Sequence, residues 1–67
     1  MNKVLGYRKM IGMTQAQMAK ELSISENTYR LKEQGKYAFK QNEIEKFITI
    51  VCKVNPNAKV TDIFFEH

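Results

Sequence analysis

Two hydroxyl-led segments, TQAQ at 14–17 and SENT at 25–28, constrain this chain most, because they sit between Gly12 and Gly35. Thr14 followed by Gln17 fits a reciprocal capping box, in which each side chain satisfies the other residue's backbone N–H. Ser25 is a good N-cap, and Glu26 behind it suits the positive end of a helix dipole. Both glycines are natural helix stops. The stretch between them must therefore hold two short helices and a tight turn. Helices this short are unstable alone, so the fold must pack them against each other and against the rest of the chain.

The remaining segments read as helices too, giving five in all and an all-α class. The first is expected over Asn2 to Ile11, with Val4, Arg8 and Ile11 on one face. The second turns Ala16, Met18, Ala19 and Leu22 inward. After Ser23, Ile24 tucks in and the third helix runs to Gly35. A basic loop, Lys36 to Lys40, leads to a fourth helix from about Gln41 to Cys52, with Ile44, Phe47, Ile48 and Val51 facing in. Asn55-Pro56-Asn57 is turn chemistry. Thr61-Asp62 can cap a last short helix carrying Ile63, Phe64 and Phe65.

With 67 residues, the chain is expected to form one domain with one modest core. A single cysteine, Cys52, excludes an internal disulfide, and no Cys/His cluster suggests a metal. Cys52 reads as a small buried hydrophobe, and Met10, Met13 and Met18 as core filler. A free thiol suits a reducing compartment. No apolar leader is expected, and no apolar run nears membrane-spanning length. The lone histidine is terminal and no nucleophile-base pairing can be argued, so an enzyme is not expected. Residues 1–40 carry a net charge of +5 and residues 41–67 a net −1. Such asymmetry suggests an anionic partner for the front half.

Two short helices joined by a tight turn have the layout of a helix-turn-helix, at about residues 14–34, whose second helix enters the DNA major groove. The run RKMIGMTQAQMAKELSISENTYRLKEQGK (8–36) resembles the phage Cro/repressor helix-turn-helix family, also called the XRE family. The matching marks are Arg8, Thr14-Gln15, Met18-Ala19, Ser25, and Glu33 followed by Gln34-Gly35-Lys36. The ending Val60-Thr61-Asp62-Ile63-Phe64 resembles the family's closing helix. The chain departs from the family pattern at Ser23, usually glycine, at Lys32, usually apolar, and in a longer 53–59 link. A residue other than glycine at position 23 has to tolerate a turn backbone of left-handed type.

The resemblance implies a compact, lambda-repressor-like, five-helix DNA-binding domain. The implied function is that of a Cro-like, sequence-specific transcriptional regulator of phage or prophage type, working in the cytoplasm of a bacterial or phage-infected cell. It places Gln15 at the phosphate backbone, though Thr14 and Gln15 could equally serve only the cap. Tyr29 is read inward, which leaves Asn27, Thr28 and Leu31 outward and Arg30 and Gln34 at the margins. Asn27 can read adenine, Thr28 and Leu31 can meet a thymine methyl, and Arg30 can take phosphate or guanine. Leu31 could instead be a half-buried core residue, and Asn27 a plain surface amide. Glu26 either accepts from a cytosine amine or only favours the helix start. Lys36, Tyr37 and Lys40 would lie along the sugar-phosphate backbone, with Lys3 and Lys9 weaker candidates. The resemblance also pairs Arg8 with Glu33 as a structural salt bridge.

The expected partner is a double-stranded DNA operator. One such domain covers few base pairs, so a homodimer on DNA is expected, with Phe64 or Phe65 and the 54–60 segment as candidate dimer surface. No cofactor, metal, membrane or small-molecule ligand is expected. The competing reading is a protein-interaction module, antirepressor or antitoxin-like, built on the same fold. Glu26 and an outward Leu31 favour it. RNA binding has little support, since no aromatic stacking platform is visible.

Overall fold

The first three helices close by the same hydrogen-bond pattern, which places each next to its neighbour through a tight turn. The computed structural model describes residues 3–64 of the chain. It contains five helices: α1 (Val4–Met10), α2 (Gln15–Glu21), α3 (Glu26–Glu33), α4 (Gln41–Val54) and α5 (Val60–Phe64). Among the described residues there is no strand. The radius of gyration is 10.6 Å, close to the ~11 Å of a compact chain this long.

α1, α2 and α3 each end in a Schellman motif. After α1, Gly12 N–H bonds the Lys9 carbonyl and Met13 N–H the Arg8 carbonyl. After α2, Ser23 bonds Lys20 and Ile24 bonds Ala19. After α3, Gly35 bonds Lys32 and Lys36 bonds Leu31. The motif needs a left-handed residue at its second-last position. Gly12 (φ 76°), Ser23 (φ 61°) and Gly35 (φ 84°) supply it. Two are glycine, for which this is free of Cβ strain, while Ser23 carries the strain of an L-residue there.

The helix starts are equally local. The Thr14 hydroxyl accepts from Gln17 N–H at 3.1 Å, and the Gln17 amide oxygen accepts from Thr14 N–H at 2.9 Å. The Ser25 hydroxyl accepts from Thr28 N–H at 3.1 Å. Both caps fall where the sequence pattern puts them.

All five helices feed one core, made of Val4, Met18, Ala19, Leu22, Tyr29, Phe47, Val51 and Ile63. The Lys3 N–H donates to the Ile63 carbonyl at 2.8 Å, which ties the start of α1 to α5. A run of edge-to-face rings crosses the interior. Tyr29 meets Phe39 at 6.1 Å, Phe39 meets Phe64 at 5.3 Å, and Phe64 meets Phe47 at 5.4 Å. These spacings are those of favourable aromatic pairs.

Several expectations need correction. Ala16 is exposed, because α2 buries Met18, Ala19 and Leu22, and a residue two before Met18 lies on the opposite side of a helix. Met10 is 52% exposed for the same reason, being two residues past the inward Arg8; Met13 is half-buried and Met18 fully buried. α1 ends at Met10, so Ile11 is its C-cap rather than part of the helix. α4 runs on to Val54, and the link to α5 is correspondingly shorter, 55–59. α5 begins at Val60, which puts Thr61 and Asp62 inside it rather than at its cap. Cys52 is half-buried, and its thiol donates to the Ala58 carbonyl at 3.6 Å across the link. Phe64, one dimer candidate, is partly buried, with its ring packed edge-to-face against Phe39 and Phe47 at the side of the core. Phe65, the other dimer candidate, and Asn2 lie outside the described residues.

Candidate functional site

The two sides of α3 do different things. Tyr29, Lys32 and Glu33 are buried, at spacings that share one helix face. Glu26, Asn27, Arg30 and Gln34 are exposed, and Thr28 and Leu31 sit half-buried between. Leu31 is only partly exposed, though it lies one turn from the exposed Asn27 and Gln34, and Arg30 stands on the exposed face rather than at its margin. Burial of Tyr29 and Glu33 sets this rotation.

Glu33 is the hub of the inner side. Its Oε2 accepts from Arg8 Nε at 2.8 Å and from the Tyr29 hydroxyl at 2.7 Å. Its Oε1 accepts from Arg8 Nη2 at 3.2 Å and from the Gln15 amide at 2.9 Å. Arg8 Nη1 also donates to the Met13 carbonyl at 2.8 Å. One carboxylate thus fastens α1, the first residue of α2, and α3. Burial alone would raise the Glu33 carboxyl, but donors from Arg8, Tyr29 and Gln15 outweigh it and hold the group below its ordinary range. The bond to Glu33 raises Arg8 despite burial. Burial first, then the bond to Glu33, pushes the Tyr29 phenol upward.

A second buried pair joins α3 to α4. Lys32 Nζ donates to Glu43 Oε1 at 2.6 Å, with side-chain exposures of 8% and 3%. The same oxygen accepts the Lys40 N–H at 2.9 Å, so Glu43 also closes the start of α4 and the end of the basic loop. Burial opposes ionisation of Glu43, while Lys32 and the Lys40 N–H outweigh it and keep the carboxyl low. Sequence reasoning missed Glu43. The signal was present: a carboxylate three residues past a helix N-cap reaches back to the cap N–H, and Lys32 lies one turn from the inward Tyr29. It missed Phe39 as well, whose ring lies inside a loop read only as basic. Among the described residues no buried side-chain polar atom lacks a partner.

The hydrogen bonds of the outer side stay within α3 and its cap. The Arg30 guanidinium donates from Nη2 to the Asn27 amide oxygen. The two ion pairs found among the described residues involve neither Arg30 nor Glu26. Thr28 Oγ1 accepts from the Ser25 hydroxyl at 2.8 Å. Past α3, Lys36, Tyr37 and Lys40 are all exposed, Tyr37 at 60%. Gln15, expected at phosphate, is half-buried with its amide committed to Glu33.

A depression lies over α4, lined by Glu21, Glu45, Lys46, Thr49, Ile50 and Lys53 among others. Its two acids and two lysines balance, so it selects no sign of charge, unlike the exposed Arg30, Lys36 and Lys40. Among the described residues no group of three or more His, Cys, Asp or Glu could hold a metal ion. No helix among them is long and apolar enough to cross a membrane. Comparison with family models, curated proteins and solved structures finds no match.

Proposed function

We propose that this chain is a sequence-specific binder of double-stranded DNA, a Cro-like transcriptional regulator in which α2 and α3 act as a helix-turn-helix and α3 enters the major groove. In this reading the domain is lambda-repressor-like, works in the cytoplasm of a bacterial or phage-infected cell, and binds as a homodimer on two half-sites. The observation that carries the reading is the division of α3. Its inner face is fastened by Glu33 and Tyr29, while Asn27, Arg30 and Gln34 stand outside without any role in the core. A helix held rigidly from behind and polar in front is suited to reading base edges. Lys36, Tyr37 and Lys40 follow directly, placed to meet phosphate and set register. Gln15 can still offer its second amide hydrogen to phosphate beside the α2 start. Thr28 and Leu31, at the flanks, are secondary contacts. Half-burial of Leu31 weakens one of the two features, the exposed Glu26 being the other, that favour a protein partner on this face.

Titration of a mixed-sequence duplex across a salt series tests the reading. Affinity should fall log-linearly and steeply with salt, as counterions are released by the lysines and arginine. Absence of binding at micromolar protein and low salt would refute it.

A further inference from the structure

The contact between Asn27 and Arg30 narrows what α3 can read. We infer that Arg30, positioned by Asn27, is the base-reading group of this surface, and that it takes guanine. The inference rests on the duplex-binding reading above.

Asn27 and Arg30 are three residues apart, hence neighbours on one face, and both are exposed. The Asn27 carbonyl is turned onto Arg30 Nη2. An asparagine reading adenine needs that oxygen for the N6 amine while its own amine meets N7. Here that oxygen already accepts from the guanidinium. Arg30 gives up one of five N–H donors and keeps the rest of its planar fork. Guanine shows two acceptors, N7 and O6, on the major-groove edge, whereas adenine shows an acceptor beside a donor, thymine one acceptor and a methyl, and cytosine a donor. A two-donor edge therefore fits guanine above the others.

Two further observations agree. No ion pair offsets the Arg30 guanidinium, since Glu26, one turn earlier, is not paired with it. A neutral partner restrains the side chain without neutralising it. Restraint before binding also lowers the ordering cost of a long, rotamer-rich side chain. Asn27 is thus a positioning residue, and Arg30 the one that touches the base.

Selection of bound duplexes from a random pool tests this, using the wild-type chain and the variants Arg30→Ala, Asn27→Ala and Lys40→Ala, each checked for helical content. The wild type should enrich a guanine in each half-site. Arg30→Ala should lose that preference, with roughly 10- to 100-fold weaker binding to the selected site. Asn27→Ala should keep the same guanine and lose only about 2- to 5-fold in affinity, the size of a weakened preorganisation. Lys40→Ala should weaken all sequences alike. An adenine position that vanishes in Asn27→Ala would overturn the inference, as would an Arg30→Ala chain that keeps the wild-type consensus and weakens evenly, the mark of a phosphate contact. In both cases the wild type still selects a sequence. A wild type that enriches nothing refutes the inference together with the DNA reading, so the two failures are distinct.

Discussion

Two buried ion pairs hold α3, and they differ in kind. Arg8–Glu33 belongs to a hub: Tyr29, Gln15 and the Met13 carbonyl all depend on the same two side chains. Lys32–Glu43 is nearly solitary, sharing only the Lys40 N–H. A buried pair that stands alone does little for stability that well-packed apolar residues could not do, because desolvation offsets attraction. A pair that also satisfies three other polar groups cannot be exchanged so simply, since its removal strands them. The first pair is therefore structural in the strong sense. The second fixes where α4 and the basic loop begin.

Breaking the hub should have the largest effect. Arg8→Ala leaves Glu33 buried without its cation and should cost ~3–5 kcal/mol of folding free energy, read from urea or thermal unfolding. That is a large share of what a domain this size possesses. DNA affinity should fall only through the loss of folded chain. Unchanged thermal stability with weaker binding would assign Arg8 to the interface instead.

Exchanging the second pair should be benign. Lys32→Met combined with Glu43→Leu is expected to be neutral or stabilising by ~1–4 kcal/mol, less ~1 kcal/mol for the lost cap at Lys40. The matching exchange at the hub, Arg8→Met with Glu33→Leu, should destabilise. Equal outcomes for the two double variants would erase the distinction between the pairs.

Acid sharpens the same contrast. Glu33 and Glu43 are both more acidic folded than unfolded, so the unfolded chain binds more protons as pH falls. Their stabilisation is fully present above the ordinary glutamate range and is lost as pH drops through it toward the lowered folded values. The Lys32→Met/Glu43→Leu chain should lose stability less steeply over that window than the wild type. A parallel decline would mean that Glu43 contributes nothing to acid sensitivity.

The smallest change concerns the turn between α2 and α3. Ser23 adopts φ 61°, and Ser23→Gly should stabilise by ~1 kcal/mol, since glycine carries no Cβ penalty there. A destabilised Ser23→Gly chain would show that the serine side chain matters more than its backbone.

Much of this was legible in the sequence wherever the signal is local. Thr14, Gln17 and Ser25 announce their caps through residues a turn away, and Gly12 and Gly35 announce their stops. Tyr29 is fixed inward by helical spacing. What escaped depends on partners distant in the chain. Glu43 meets Lys32 only once α4 docks, and Phe39 finds Tyr29 and Phe64 only across the core. The burial of Lys32 is invisible in the sequence while its partner Glu43 is unknown. Asn27 as a neighbour of Arg30 could be placed by spacing, but not the bond between them.

The central claim is that the outer face of α3 and the loop after it form the interface. Amide chemical-shift mapping during titration with duplex tests it most directly. The largest changes should fall at Asn27, Thr28, Arg30 and Gln34 and continue through Lys36, Tyr37 and Lys40, with Glu45, Thr49 and Lys53 on α4 undisturbed. Changes centred on that α4 surface, with α3 silent, would contradict it.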